Sequence, residues 1–587
     1  MKNLLLTALV LLGVSAKAQY FQHVYGTADP EELRSGVNTF AQPQGHFMAG
    51  VTQDPVTFQS SLIATYTDVN GAPNFNNEYQ ITDPITGTVN TVHWTRVFEM
   101  NNGAGFGVVG VHRDPVAGTA SPSKLFYMQL DPNGNVMNVF DYAPIPGTYT
   151  WDVNIVGNVT ESATGNEIYI TGALQANAPL VHVFAMKLDV MSGAIIWSNI
   201  YDIPHGSPIS REVGMDIIEN PYNPLGQPEA MIVGYAHGIG VTNDGFVIRV
   251  DANTGVLNLP WAIMYGTASS NDAFYSITVA NSGAGGNQGF VIGGHSNVNG
   301  SNDAWLIKVD PTGWGTIWSN LYDYSFNPGS DDNCRDVIER FSPMLGQYQY
   351  FMTGSTNNGF FGGEDVLVIK TDDMGNGLGE YTYGGANGDR GASLDQYDNT
   401  AADGLSTFAT GDLAALGSTD FYLIKSYYDG NSGCNEYLSI PNVTTGPGLY
   451  YEYYITDFNG FSFGSLMASS STVSDMNLCF NNTIPGASNA RMAPAEPKGD
   501  KEAVILPNPM APGSPVAFVE LETDMPATVE VAIYDMLGKQ YYNGSHTLVK
   551  GNNQLPLDIS NANMAAGMYT VKVTGASIAQ NILLIVK

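Results

Sequence analysis

Along most of the chain, short unbroken apolar runs end in an acidic turn closed by glycine. They read "SLIATYTDVNG", "KLFYMQLDPNG", "HVFAMKLDVMSG", "DGFVIRVDANTG", "DAWLIKVDPTG", "DVLVIKTDDMG" and "DFYLIKSYYDG". The closing residues are Gly71, Gly134, Gly193, Gly255, Gly313, Gly375 and Gly430, at steps of 63, 59, 62, 58, 62 and 55 residues. A second apolar segment with an internal glycine precedes each copy, as in "HFMAGVT", "AMIVGYA" and "YFMTGST". A third follows it, with two rings four residues apart: Phe75 and Tyr79, Trp197 and Tyr201, Trp261 and Tyr265, Trp318 and Tyr322. In a strand that even spacing puts both rings on one face. Near Tyr142 and Tyr383 the tyrosine is kept and the ring four before it is lost. A fourth segment, such as "REVGMDII" or "NDAFYSITV", completes the unit.

Four short strands repeated seven times predict an all-β chain built on a seven-bladed β-propeller over residues 19–433. Blades are covered on both faces, so inner strands lose the polar alternation of a half-exposed sheet. The Asp-to-Gly turns suit tight hairpins. One aromatic segment, "YFQHVYG" with Phe21 and Tyr25, precedes the first full unit and has no partner strand before it. It is expected to complete the last blade beside "DFYLIK" and close the ring.

Composition narrows the class. With 66 glycines and 31 prolines in 587 residues, turns dominate and helices are disfavoured. The first residues, "MKNLLLTALVLLGVSAKAQ", read as a secretory signal peptide over 1–18, cleaved between Ala18 and Gln19. Its apolar run is too short to span a bilayer, and no later run is long enough. The formal charge of −33 argues against nucleic acid and anionic membranes as partners and is compatible with divalent cations. Of three cysteines, Cys434 and Cys479 flank a Tyr- and Ser-rich connector, 434–480, and are expected to form a disulfide, leaving Cys334 unpaired.

Five cations repeat at equivalent positions: Lys187, Arg249, Lys308, Lys370 and Lys425. They could collect an anionic ligand in a central channel. Recurrence in five of the seven copies points instead to architectural pairing with turn carboxylates or with acids of the adjacent blade. "DVMSGAIIW", Asp189 to Trp197, resembles the docking motif of quinoprotein propellers, but its spacing is not kept in the other copies. The histidines are scattered, and no zinc pairing or nucleophile elbow occurs. No cofactor is evident; "DNTAADG" and "DVNG" carry oxygen ligands that suit calcium without a full calcium-loop spacing.

A polar linker, 481–503, leads to "VILPNPM…VEVAIYDMLGK…GMYTVKV…LLIVK", whose alternating strands predict a small Ig-like β-sandwich over 504–587. These residues resemble the type A C-terminal sorting domain of proteins exported by the Bacteroidetes type IX secretion system. The resemblance rests on Pro507, Asn508 and Pro509, Asp535 with Gly538 at a turn, Gly567 with Tyr569, and the terminal Lys587; Leu506 departs from the tyrosine usual before Pro-Asn-Pro. It implies the type IX translocon and its sorting machinery as partners, and release outside the cell or attachment to its surface. The propeller is then expected to serve binding, as an adhesin, a structural surface protein or a receptor for a glycan or surface protein. An extracellular carbohydrate-active hydrolase or lyase is the alternative.

Overall fold

The computed structural model describes residues 20–477 and 504–586, short loop segments within them excepted. The described residues form strands and turns, in two compact units, 1–491 and 492–587.

Seven sheets make up the first unit. Blades 1 to 6 span residues 31–79, 91–144, 151–202, 212–265, 272–323 and 332–383, with four consecutive antiparallel strands each. Blade 7 has three strands of its own, Arg390–Tyr397, Gly404–Gly411 and Asp420–Ser426. Its fourth is Phe21–Gly26, which pairs antiparallel with Phe21 opposite Lys425 and Tyr25 opposite Phe421. The orphan aromatic segment therefore closes the ring.

The two sequence marks of the repeat meet at every blade boundary. The fourth-strand tyrosine donates to the carbonyl of the turn glycine in the next blade: Tyr79 to Gly134, Tyr142 to Gly193 and Tyr201 to Gly255, each at 2.7 Å, and Tyr322 to Gly375 at 2.6 Å. Tyr265 and Gly313, Tyr383 and Gly430, and Tyr25 and Gly71 complete the set of seven. At four boundaries the other ring of the aromatic pair, Phe21, Phe75, Trp197 or Trp318, lies against the same glycine, where a Cβ would press on it, whereas Gly313 meets Met231, Val247 and Ile263. In blades 2 and 6 Phe140 and Tyr381 do this from two residues before the tyrosine, a spacing that stays on the same strand face. Burying these rings removes roughly 25 cal/mol of unfavourable hydration per Å² of apolar surface, and the hydroxyl finds its acceptor without leaving the core.

The segment after blade 7 is more than a connector. It runs back around the ring against chain order and adds a fifth antiparallel strand to one outer edge after another. Glu436–Ser439 pairs with blade 6, Asn442–Thr445 with blade 5, Leu449–Tyr454 with blade 4, Thr456–Asn459 with blade 3 and Phe461–Ser465 with blade 2. Ser474–Asn477 then pairs with the closing strand Phe21–Gly26 itself. A blade ends in an open strand edge, and this belt satisfies the unpaired backbone groups there. Tyr437 fastens its start, stacked on Phe360 at 4.2 Å and edge-on to Phe326 at 5.5 Å.

The second unit has a three-stranded sheet, Val504–Leu506, Val516–Thr523 and Gly551–Asp558, and a four-stranded one, Gln540–Leu548, Ala527–Asp535, Gly567–Gly575 and Ile578–Val586. Val519, Leu557, Val531, Val571 and Leu584 are buried in their common core.

Candidate functional site

The inner strand of every blade carries a β-bulge at one level: after Leu33, His93, Val156, Gly214, Phe274, Cys334 and Gly391. A bulge inserts a residue and re-aims the side chains around it. The residue following each bulge reaches the inner strand of the next blade. Val97 N donates to Ser35 Oγ at 3.4 Å, Arg96 Nε to Gly157 O, and Asn158 Nδ2 to Asp216 Oδ1 at 2.7 Å. Ile277 N donates to Asp216 Oδ2 at 2.9 Å, Ser276 Oγ to Asp336 Oδ1 at 2.8 Å, and Leu394 N to Asp336 Oδ2 at 2.8 Å. Gly36 N donates to Ser393 Oγ at 2.9 Å and completes a polar girdle around the channel.

The bulged residues themselves line the channel mouth. Arg34, Trp94, Tyr275 and Arg335 join Arg96 and Arg390 around a cavity of about 520 Å³. Four of the eight arginines between residues 19 and 433 thus meet at one opening of a strongly acidic chain. Trp94 adopts φ +49°, a left-handed conformation within the bulge, and the Arg34 guanidinium lies 4.4 Å from its ring centre. The Arg335 guanidinium is likewise 4.4 Å from the Tyr275 ring, which packs against His295 at 5.5 Å. Such contacts hold a guanidinium flat while leaving its edge free for hydrogen bonds.

The cations are crowded. Burial lowers the Arg34 pKa, and Arg335 and Arg390 repel it further, against one ion pair to Glu32 at 2.7 Å. Burial and Arg34 push Arg96 down to about 10, and burial with Arg335 pushes His295 down to about 4. Arg335 is exposed and stands on its aromatic contact.

Below the mouth lies a second chamber of about 480 Å³, lined by all seven inner strands. Burial raises Asp216 and Asp395 to about 7 and Asp336 to about 6. These carboxylates are nonetheless engaged. Asp216 accepts from Asn158, Ile217 and Ile277, and Asp336 from Ser276, Val337 and Leu394. Asp395 accepts from Asn38 N and Gln396 N, both at 2.8 Å. They brace the girdle, and Glu99 and Glu161 line the same chamber.

The five repeated cations lie on third strands, away from the channel. Lys187 Nζ is 2.7 Å from Glu167 Oε2, and Arg249 holds Glu229 through two bonds of 2.9 Å. Lys308 Nζ donates to Tyr350 OH at 3.0 Å, Lys370 Nζ to Tyr428 O at 3.2 Å and Lys425 Nζ to Val69 O at 2.8 Å. Their hydrogen-bond partners are second-strand acids of the same blade and groups of the next blade, whose acids Asp373, Asp429 and Asp68 also attract Lys308, Lys370 and Lys425. The turn carboxylates are occupied by their own hairpins: Asp310 Oδ1 accepts from Thr312 N at 2.9 Å, and Asp68 Oδ1 accepts from Asn70 and Ala72, which fills the "DVNG" oxygen considered for calcium.

Cys334 is a buried free thiol. Ala18, Gln19, Cys434, Cys479, Asp398 to Asp403 of "DNTAADG", Pro507, Asn508, Pro509, Gly538 and Lys587 lie outside the described residues. Asp535 and Gly567 fall within strands, and the buried Tyr569 donates its hydroxyl to Ala565 O at 2.9 Å.

Residues 504–587 match the family described as the secretion system C-terminal sorting domain. The chain is cargo of the type IX secretion system. That sorting domain directs it to the cell surface or beyond, and the chain includes no helix, among its described residues, that is long and apolar enough to cross a membrane. The cargo region is similar to two solved propeller structures. One is the Dos1 propeller, 11% identical, with 69% of this chain and 95% of that chain covered and a TM-score of 0.37. The other is Sqt1 of Chaetomium thermophilum bound to the N-terminus of ribosomal protein L10, 12% identical, with 70% and 98% covered and a TM-score of 0.37. No curated protein matches the sequence.

Proposed function

We propose that this type IX cargo is an extracellular binding protein, of adhesin or surface-receptor type, whose propeller holds an acidic glycan at the arginine-rich channel mouth. The observation that carries this reading is the convergence of Arg34, Arg96, Arg335 and Arg390 with Trp94 and Tyr275 on one cavity of an acidic chain. Guanidinium forks suit carboxylate or sulfate groups, and flat rings suit sugar faces. A local positive field inside a negative shell also selects ligands small or flexible enough to reach it. The alternative, a carbohydrate-active hydrolase or lyase, needs an available acid and base. The channel carboxylates favour binding because their oxygens are already bonded to neighbouring blades.

The deciding experiment is an array of neutral, uronate-bearing and sulfated polysaccharides, read for both retention and cleavage by the full mature chain. Salt-sensitive retention of the acidic members without cleavage is the expected result. Cleavage would transfer the assignment to the enzyme reading, and retention of neutral glycans alone would remove the arginines from the account.

A further inference from the structure

A second set of charged side chains lies between the blades, apart from the channel mouth. In each blade one third-strand residue directly precedes the residue that faces the fourth-strand tyrosine. That residue is Asp244, Asp303, Asp365 and Asp420 in blades 4 to 7, and Ser61, Lys124 and His182 in blades 1 to 3. The start of the following blade's inner strand, or for Asp389 the residue just before it, brings an acid to the same place: Asp272, Asp332, Asp389 and Glu31 against the four aspartates, and Glu212 against His182. All nine acids are at most 2% exposed.

The His182 junction supplies its own counter-charge. His182 Nδ1 lies 3.3 Å from Asp202 and 3.4 Å from Glu212. At the other four junctions acid meets acid. The ring closure is the clearest case: Glu31 Oε1 accepts from Thr27 and from Thr52 Oγ1 at 3.2 Å, but Glu31 Oε2 and both oxygens of Asp420 are buried with no donor other than the opposing carboxyl. Both carboxylates converge on Gly26, where a Cβ would overlap Asp420 Oδ1 and Glu31 Oε2. Gly266 stands in the same relation to Asp244 and Asp272, and Gly384 to Asp365 and Asp389. Asp272 Oδ1 and Asp365 Oδ1 are also buried without a donor. Where blade 5 meets blade 6 the glycine is replaced by a third acid, and Asp303, Asp323 and Asp332 offer oxygens all within 4.8 Å of one another.

A buried carboxylate oxygen with no donor is costly, and two facing each other repel. We infer that these acidic blade junctions, with the Glu31 and Asp420 pair at the ring closure as the best defined, are binding sites for hard divalent cations of the calcium class. Two carboxylates neutralise one such ion, whereas a single shared proton leaves the pair negative. The donors are oxygens without thiolate or imidazole, which suits calcium over zinc or copper. The threonine hydroxyls of Thr27 and Thr52 and solvent complete the coordination, and an ion there ties one blade to the next.

The test uses the full mature chain, dialysed against calcium or against a chelator, with bound calcium counted by elemental analysis and thermal unfolding followed. The expected result is that calcium is retained by the folded chain, that chelation lowers the melting temperature by several degrees, and that added calcium restores it. Asp420→Asn, and separately Asp365→Asn, should each lower the calcium count. A wild-type chain that retains no calcium and melts unchanged by chelator or calcium overturns the inference without recourse to any variant. So does an undiminished count in both folded variants. Junctions occupied by shared protons would give a chain stabilised by acid and indifferent to calcium, which also overturns it.

Discussion

The hydroxyl of Tyr25 lies 2.6 Å from the carbonyl oxygen of Gly71. The strand that completes blade 7 is thereby bonded to the first turn of blade 1, and the ring is closed by backbone pairing on one side and a side-chain bond on the other. Tyr25→Phe keeps the ring and leaves a buried carbonyl unsatisfied, a loss of about 1–3 kcal/mol. Urea unfolding should show it, with a comparable loss for Tyr79→Phe at an ordinary boundary. Deleting Gln19 to Gly26 removes the whole strand and should lower the melting temperature far more; an unchanged value would contradict the closure.

Gly71 sits at φ +83°, and a Cβ there would lie 2.9 Å from the Phe21 ring. Gly71→Ala combines left-handed strain with a collision against a packed aromatic. A destabilisation of roughly 1–3 kcal/mol is expected. Gly300, with open space around it, is the control for φ alone because it has the same backbone sign at +110° and no neighbour for a Cβ to meet.

Arg335 is exposed and holds its place by lying over Tyr275. Arg335→Gln should weaken retention of acidic polysaccharide several-fold and flatten its salt dependence while the melting temperature stays within about 1 °C of wild type. Equal retention by the variant would detach the mouth from the binding activity.

His182 gives a pH signature. Burial alone would lower its pKa, but Asp202 and Glu212 outweigh that and hold it at about 9. A group whose folded pKa is raised contributes stability that is fully present below its unfolded value near 6.5 and is lost as pH rises through 9. Stability should therefore fall between about pH 6.5 and 9, by on the order of 2 kcal/mol from this site. His182→Gln should remove that part of the slope in denaturant titrations at several pH values.

Removing Val504 to Lys587 takes away the matched sorting domain. Export past the outer membrane should then fail, with the propeller accumulating in the periplasm as judged by fractionation. Normal export of the truncated chain would contradict the assignment.

The parts of this architecture that local chemistry enforces are legible in the sequence. Each turn needs a glycine with positive φ, and each boundary needs a ring and a hydroxyl beside it, so Gly71 and its relatives and Tyr25 and its relatives recur at readable spacing. The absent first ring in blades 2 and 6 is a shift of two residues to Phe140 and Tyr381, which a fixed spacing of four overlooks. The belt leaves almost no trace, because strands such as Asn442–Thr445 and Thr456–Asn459 are short, polar and held by backbone pairing. The arginines of the mouth are hidden for another reason. A bulge shifts the alternation by one residue, so Arg34 and Arg335 read as ordinary charges near strand starts until seven bulges place them at one opening. The conspicuous repeated lysines prove to be third-strand braces bonded away from the channel.

The strand Phe21–Gly26 is flanked on one side by Asp420–Ser426 and on the other by Ser474–Asn477. The earliest strand of the ring thus waits for two of its latest segments, and contacts of such sequence separation form slowly. An incomplete chain has a gap in the ring and unsatisfied outer edges, so a partly delivered polypeptide gains little from settling early. Closure of the ring is therefore a late event in folding, reached only when both ends of the propeller segment are present together.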